Sequence, residues 1–155
     1  MQAFSSRKVS FTPKGLISGH TIGVAHCFLF IDRLYNFQDT GKPDPTMDPL
    51  LASKLRGRCP QSATVDNTVY LDQNPQSSYT IDNYFYKQIL WHRGILQIDQ
   101  DLALDSLTNA TVTMLANDYD FSTKFGQAMV KLGSLQVLTG TQGQIRTSCR
   151  AVNYP

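Results

Sequence analysis

The chain has 155 residues, 41% of them hydrophobic and 17% charged, and a net charge of +2. This composition suits one globular domain or one half of a larger one, and with no long run of Lys or Arg no nucleic-acid partner is expected. The longest purely apolar run, 27–31, is far short of the roughly 20 residues a membrane span needs, so no membrane partner is expected either.

The N-terminus, Met1-Gln2-Ala3-Phe4-Ser5-Ser6, shows no charged segment followed by an apolar one, so no signal peptide is expected. Residues 1–19 hold a possible short helix interrupted by Pro13 and Gly15. Asp44-Pro45-Thr46-Met47-Asp48-Pro49 reads as a turn; Asp48 suits an N-cap and Pro49 a first helical residue. The spacing predicts a helix over 50–56, stopped by Gly57, and then a polar loop over 61–81 with an extended piece at 68–71. A second helix is predicted from near Asp82, carrying Tyr84, Phe85, Ile89 and Leu90 and stopped by Gly94. Residues 95–98 read as a short extended run. The clearest helix follows Asp120, with Phe121, Phe125, Ala128, Met129 and Leu132 on one core-facing stripe and Gly133 at its end. Residues 138–146 read as a turn-rich tail.

Three cysteines, Cys27, Cys59 and Cys149, leave at least one thiol without an intrachain partner. The single acceptor sequon, Asn109-Ala110-Thr111, is weak evidence of secretion.

Four stretches carry the chemistry. They are Ser18-Gly19-His20-Thr21-Ile22-Gly23-Val24-Ala25-His26-Cys27 with Arg33-Leu34-Tyr35-Asn36-Phe37; Leu55-Arg56-Gly57-Arg58-Cys59-Pro60; Asp72 through Asp82-Asn83 with Arg93-Gly94-Ile95-Leu96-Gln97-Ile98-Asp99-Gln100; and Met129-Val130-Lys131-Leu132-Gly133 with Cys149-Arg150. Taken singly, each has a bland reading. A lone histidine is more often a surface or core residue than a ligand, and Asp72, Asp82 and Asp99 suit caps and turns.

Taken together, in order and spacing, these stretches resemble the plant secretory (class III) haem peroxidases over most of residues 16–153. The resemblance implies a mainly α fold with a small β-ribbon. It implies that residues 1–155 form the proximal, C-terminal half of the peroxidase domain and that the distal half, with its acid–base histidine and arginine, is absent. His20 matches the axial ligand of the iron of haem b. Asp99 matches the carboxylate that accepts the hydrogen bond from that histidine. Thr21, Asp72, Ser77, Thr80 and Asp82 match the ligands of one proximal Ca2+ site, with Ser78 an alternative to Ser77. Cys27 and Cys59 match a disulfide pair, and Cys149 a cysteine whose partner lies in the other half. Leu71 matches an apolar residue against the proximal pocket.

Such enzymes oxidise small phenolic donors with hydrogen peroxide, and are secreted or vacuolar. The alternative is a non-catalytic haem- or calcium-binding fragment. The chemistry suits the assignments. A carboxylate on the second ring nitrogen fixes the tautomer of a metal-bound imidazole and raises its basicity. Calcium takes oxygens alone, from carboxylates, hydroxyls and carbonyls.

Overall fold

The computed structural model describes residues 19–153. The short helix expected within residues 1–19 lies outside the described residues. The remainder is mainly helical, as expected, with one two-stranded antiparallel ribbon.

β1 (Val24–His26) pairs with β2 (Thr68–Tyr70) in the register Val24↔Tyr70, Ala25↔Val69 and His26↔Thr68. The extended piece near 68–71 was legible; β1, only three residues long, is too short to carry a period. α1 (Ile31–Tyr35) follows, and then α2 (Pro49–Arg58). The Asp48 carboxylate accepts from the Leu51 N–H at 2.8 Å, and Pro49 opens the helix, both as predicted. Gly57 does not stop α2. The helix continues to Arg58 and ends at Cys59, which precedes Pro60 and so disfavours the helical region.

α3 (Tyr84–Leu90), α4 (Gln97–Leu104), α5 (Asn109–Ala116) and α6 (Phe121–Gly133) complete the order. Three expectations need correction. α3 ends at Leu90, capped at Trp91, before the chain reaches Gly94. The extended run expected over 95–98 ends at Leu96. Gln97 and Ile98 already belong to α4, because an apolar run this short does not separate strand from helix. On α6 only Phe121 and Phe125 are buried, whereas Met129 is 47% and Leu132 56% exposed. Phe121 packs on Tyr86 and Phe125 with ring centroids 5.5 and 5.9 Å apart, and the stripe leaves the core one turn later.

The core has two apolar clusters. One gathers Phe30, Leu34, Leu51, Leu55, Leu71 and Ile95 around the ribbon and α2. The other gathers Phe85, Tyr86, Ile89, Val112, Leu115 and Phe121 from α3, α5 and α6. α4 bridges them, with Ile95 just before it in the first cluster and Ala103 in the second. A Cβ on Gly94 would lie 3.1 Å from the backbone N of Gln100, so glycine lets the chain pass this close. The wholly buried Gln100 side chain fixes that crossing, donating to the Ile89 carbonyl and accepting from the Gly94 N–H.

Cys27 and Cys59 are joined, with Cα atoms 5.5 Å apart and 32 residues of separation, and Cys149 is an exposed free thiol. The bond ties the end of β1 to the end of α2. Closing a loop of this length restricts the unfolded chain by roughly 3–4 kcal/mol. Cys27→Ala/Cys59→Ala is expected to lower the urea-unfolding free energy by about that amount, and a change within error would mean that the loop was already restricted.

Candidate functional site

His20 lies in a short 3-10 turn, Gly19–Thr21, two residues before β1. Its ring meets Phe85 of α3 edge-on, with centroids 6.3 Å apart and an interplanar angle of 86°. Asp99 lies in the first turn of α4, where a helix dipole favours negative charge. The fold brings these residues together across 79 positions of sequence: His20 Nδ1 lies 2.9 Å from both carboxylate oxygens of Asp99. An ionised carboxylate only accepts, so Nδ1 carries the proton. The Asp99 side chain is 3% exposed and that of His20 36%, so the anchor is sealed while the imidazole reaches the surface. The hydrogen bond to Asp99 raises the His20 pKa above its ordinary value, against the opposing effect of burial.

Thr21, wholly buried, faces the end of the 72–82 loop. Its hydroxyl donates to the Asp82 carbonyl at 2.7 Å and sits 3.4 Å from the Thr80 carbonyl. At the other end of the loop, the Ser77 hydroxyl donates to the Asp72 carboxylate at 2.6 Å. The Ser78 hydroxyl turns instead to the carbonyls of Asp72 and Asn74, so of the two serines Ser77 faces the carboxylate. The two carboxylates also serve local turns, Asp72 accepting from the Asn74 N–H and Asp82 from the Tyr84 N–H.

Asp72 has 0% relative exposure and forms no ion pair among the described residues. Burial raises its pKa and the nearby Asp82 carboxylate adds to the rise, while hydrogen bonds from Ser77 and Asn74 oppose it. Among the described residues no group of three or more His, Cys, Asp or Glu side chains forms a metal cluster. The set here is of another kind, two carboxylates with hydroxyls and carbonyls, which suits a hard, oxygen-seeking cation.

Two residues that sequence reasoning left without a role support this region. Arg33, wholly buried on α1, donates to the Asp44 carboxylate and to the Gly94 and Ile95 carbonyls, each at 2.8 Å. It thereby holds the segment that leads into α4 and Asp99. Arg33 stood in one of the informative stretches, but nothing local marks an arginine as buried; Asp44 read as a turn residue.

Among the described residues no helix is long and apolar enough to cross a membrane. A family model described as Peroxidase matches residues 15–118. The chain is 53% identical over 150 residues to Peroxidase 60 of Arabidopsis thaliana, covering 96% of this chain and 45% of that protein. It is 46% identical over 145 residues to Peroxidase 57 of the same plant, covering 93% and 44%. With Peroxidase 5 of Vitis vinifera it shares 42% identity over 154 residues, covering 98% and 46%. The chain thus spans less than half the length of these relatives.

Proposed function

The chain belongs to the plant class III peroxidase family, and from that premise we propose that it forms the proximal, haem-holding part of a secreted enzyme that oxidises phenolic donors with hydrogen peroxide. The observation that carries this reading is the His20–Asp99 hydrogen bond, a half-exposed imidazole held by a sealed carboxylate. With Nδ1 engaged by Asp99, Nε2 is the nitrogen that would hold the iron. Haem, when bound, supplies the iron that reduces the peroxide and draws electrons from the donor. Asp99 keeps the proton on Nδ1, fixes the ring orientation and gives the imidazole anionic character. Phe85 limits rotation of the ring from the side.

Thr21, Asp72, Ser77, Thr80 and Asp82 hold one Ca2+ in this reading. The carboxylate of Asp72, buried and without an ion pair among the described residues, supports it, since a cation there would offset the cost of burying that charge. Thr21 directly follows His20, so the ion would pin the backbone beside the iron ligand. The exposed Cys149 thiol supports a disulfide to the remainder of the full-length protein.

Titration of the purified chain with haemin tests the central assignment by its absorbance change. Wild type is expected to saturate at one haem per chain. His20→Ala is expected to weaken binding by more than the roughly 10–100-fold that losing a ligand's supporting hydrogen bond costs. Equal binding by both would sink the assignment. Calcium about a hundredfold above its Kd should raise Tm by roughly 5–10 °C, and Asp82→Ala should remove the rise. No rise in the wild type would remove calcium from the account.

A further inference from the structure

The 72–82 loop carries a feature that iron and calcium binding leave unused. Tyr70, at the end of β2, and Tyr79, within the loop, meet at the surface. Their hydroxyls are in contact, and their ring centroids lie 5.0 Å apart at 71°. Tyr79 is 79% and Tyr70 39% exposed. The other described tyrosines differ. Tyr86 is buried, Tyr35 donates to the Cys59 carbonyl, Tyr84 packs on Trp91, and Tyr119, though fully exposed, has no ring neighbour. Only Tyr70 and Tyr79, among the described residues, pair two accessible phenols.

We propose that Tyr70 and Tyr79 are a site of oxidative cross-linking, joined as an intramolecular dityrosine by one-electron oxidants such as phenoxyl radicals. The inference rests on the peroxidase reading for the source of the oxidant alone. Each phenol loses one electron and its hydroxyl proton. The two radicals then form a carbon–carbon bond between ring positions ortho to the oxygens. The hydrogens on those carbons move to the oxygens and restore both phenols. The pair as a whole gives up two hydrogen atoms, and one hydrogen peroxide, reduced to two waters, balances them. Because the rings are already adjacent, coupling within the chain outruns coupling between chains.

The consequence concerns the part of the loop that carries Asp72 and Ser77 and leads into Thr80. A bond between Tyr70 and Tyr79 would close that stretch into a ring anchored on the ribbon. An enzyme releasing phenoxyl radicals would thus fasten its own calcium loop.

The test uses the full chain and a photochemical one-electron oxidant, tris-bipyridyl ruthenium with persulfate, so that no bound haem is needed. After oxidation the protein is denatured and cut before aspartate. Cleavage at Asp66, Asp72 and Asp82 places Tyr70 in residues 66–71 and Tyr79 in residues 72–81. The expected product is these two peptides joined, two hydrogen atoms lighter than their sum. Its yield should not change on dilution, and it should be lost in Tyr70→Phe and in Tyr79→Phe, both surface changes. Separate release of the two peptides, or dityrosine only in covalent dimers through Tyr119, would overturn the proposal. A parallel arm supplies phenoxyl radicals from an added intact peroxidase with a phenolic donor and hydrogen peroxide. A link formed under ruthenium but absent in this arm would remove phenoxyl radicals as the oxidant and leave the tyrosine site standing.

Discussion

Arg33→Ala is expected to lower the unfolding free energy by about 3–5 kcal/mol, the usual cost of stranding one partner of a buried ion pair. The guanidinium is 1% exposed and the Asp44 side chain 0%, so the remaining carboxylate would have no water to turn to. The same change releases the Gly94 and Ile95 carbonyls, and with them the approach to α4. A domain stable by roughly 5–15 kcal/mol would lose a large part of its margin. Replacing both partners, as Arg33→Met/Asp44→Leu, should cost less than the single change, because no charge is left buried. Urea denaturation of the variants decides it. A loss under 1 kcal/mol for Arg33→Ala would mean that water or a rearranged side chain takes over the charge.

The pair also sets an acid limit. Burial raises the Asp44 pKa, but hydrogen bonds from the Thr46 hydroxyl and N–H and from Arg33 outweigh it, and the net shift is downward. A lowered carboxylate contributes stability that is full above its unfolded value, about 3.9. That contribution is lost as pH falls through the lower folded value. Asp44→Asn should therefore cost stability at neutral pH and flatten the acid limb of the pH profile.

Much of this arrangement was legible in the sequence, for uneven reasons. Asp48-Pro49 marked the start of α2 because a cap and a proline act locally. The Phe121 helix was visible from its period, but how much of the stripe is buried depends on how far α3 and α5 extend beneath it, and that is not local. α4 was hidden because Ile95 and Leu96 lead into it as a short apolar run. His20 and Asp99 are each unremarkable in their own surroundings, and 79 residues separate them; only resemblance paired them in advance. Arg33 and Asp44 had no such help. A buried ion pair leaves no mark in either partner's neighbourhood, and its role emerges only once α1 and the approach to α4 are in place.

Asp99→Asn carries the second large effect. The amide oxygen can still accept from Nδ1, so the ring keeps a partner and loses only the charge behind it. A merely structural Asp99 would tolerate this exchange with little change at the iron. An Asp99 that gives the imidazole anionic character would not. Haem affinity should fall by roughly 10–100-fold. If the carboxylate stabilises ferric haem as proposed, the iron of the variant should become easier to reduce. Hydrogen bonds to charged groups exceed neutral ones by about 1–1.5 kcal/mol, which for a one-electron couple corresponds to a rise on the order of 60 mV.

The most direct measurement is the reduction potential of the haem-loaded chain, wild type beside Asp99→Asn, with His20→Ala as the control for ligation. The account predicts a higher potential in Asp99→Asn and no defined iron–imidazole species in His20→Ala. Identical potentials in wild type and Asp99→Asn, or haem that binds alike with and without His20, would contradict it.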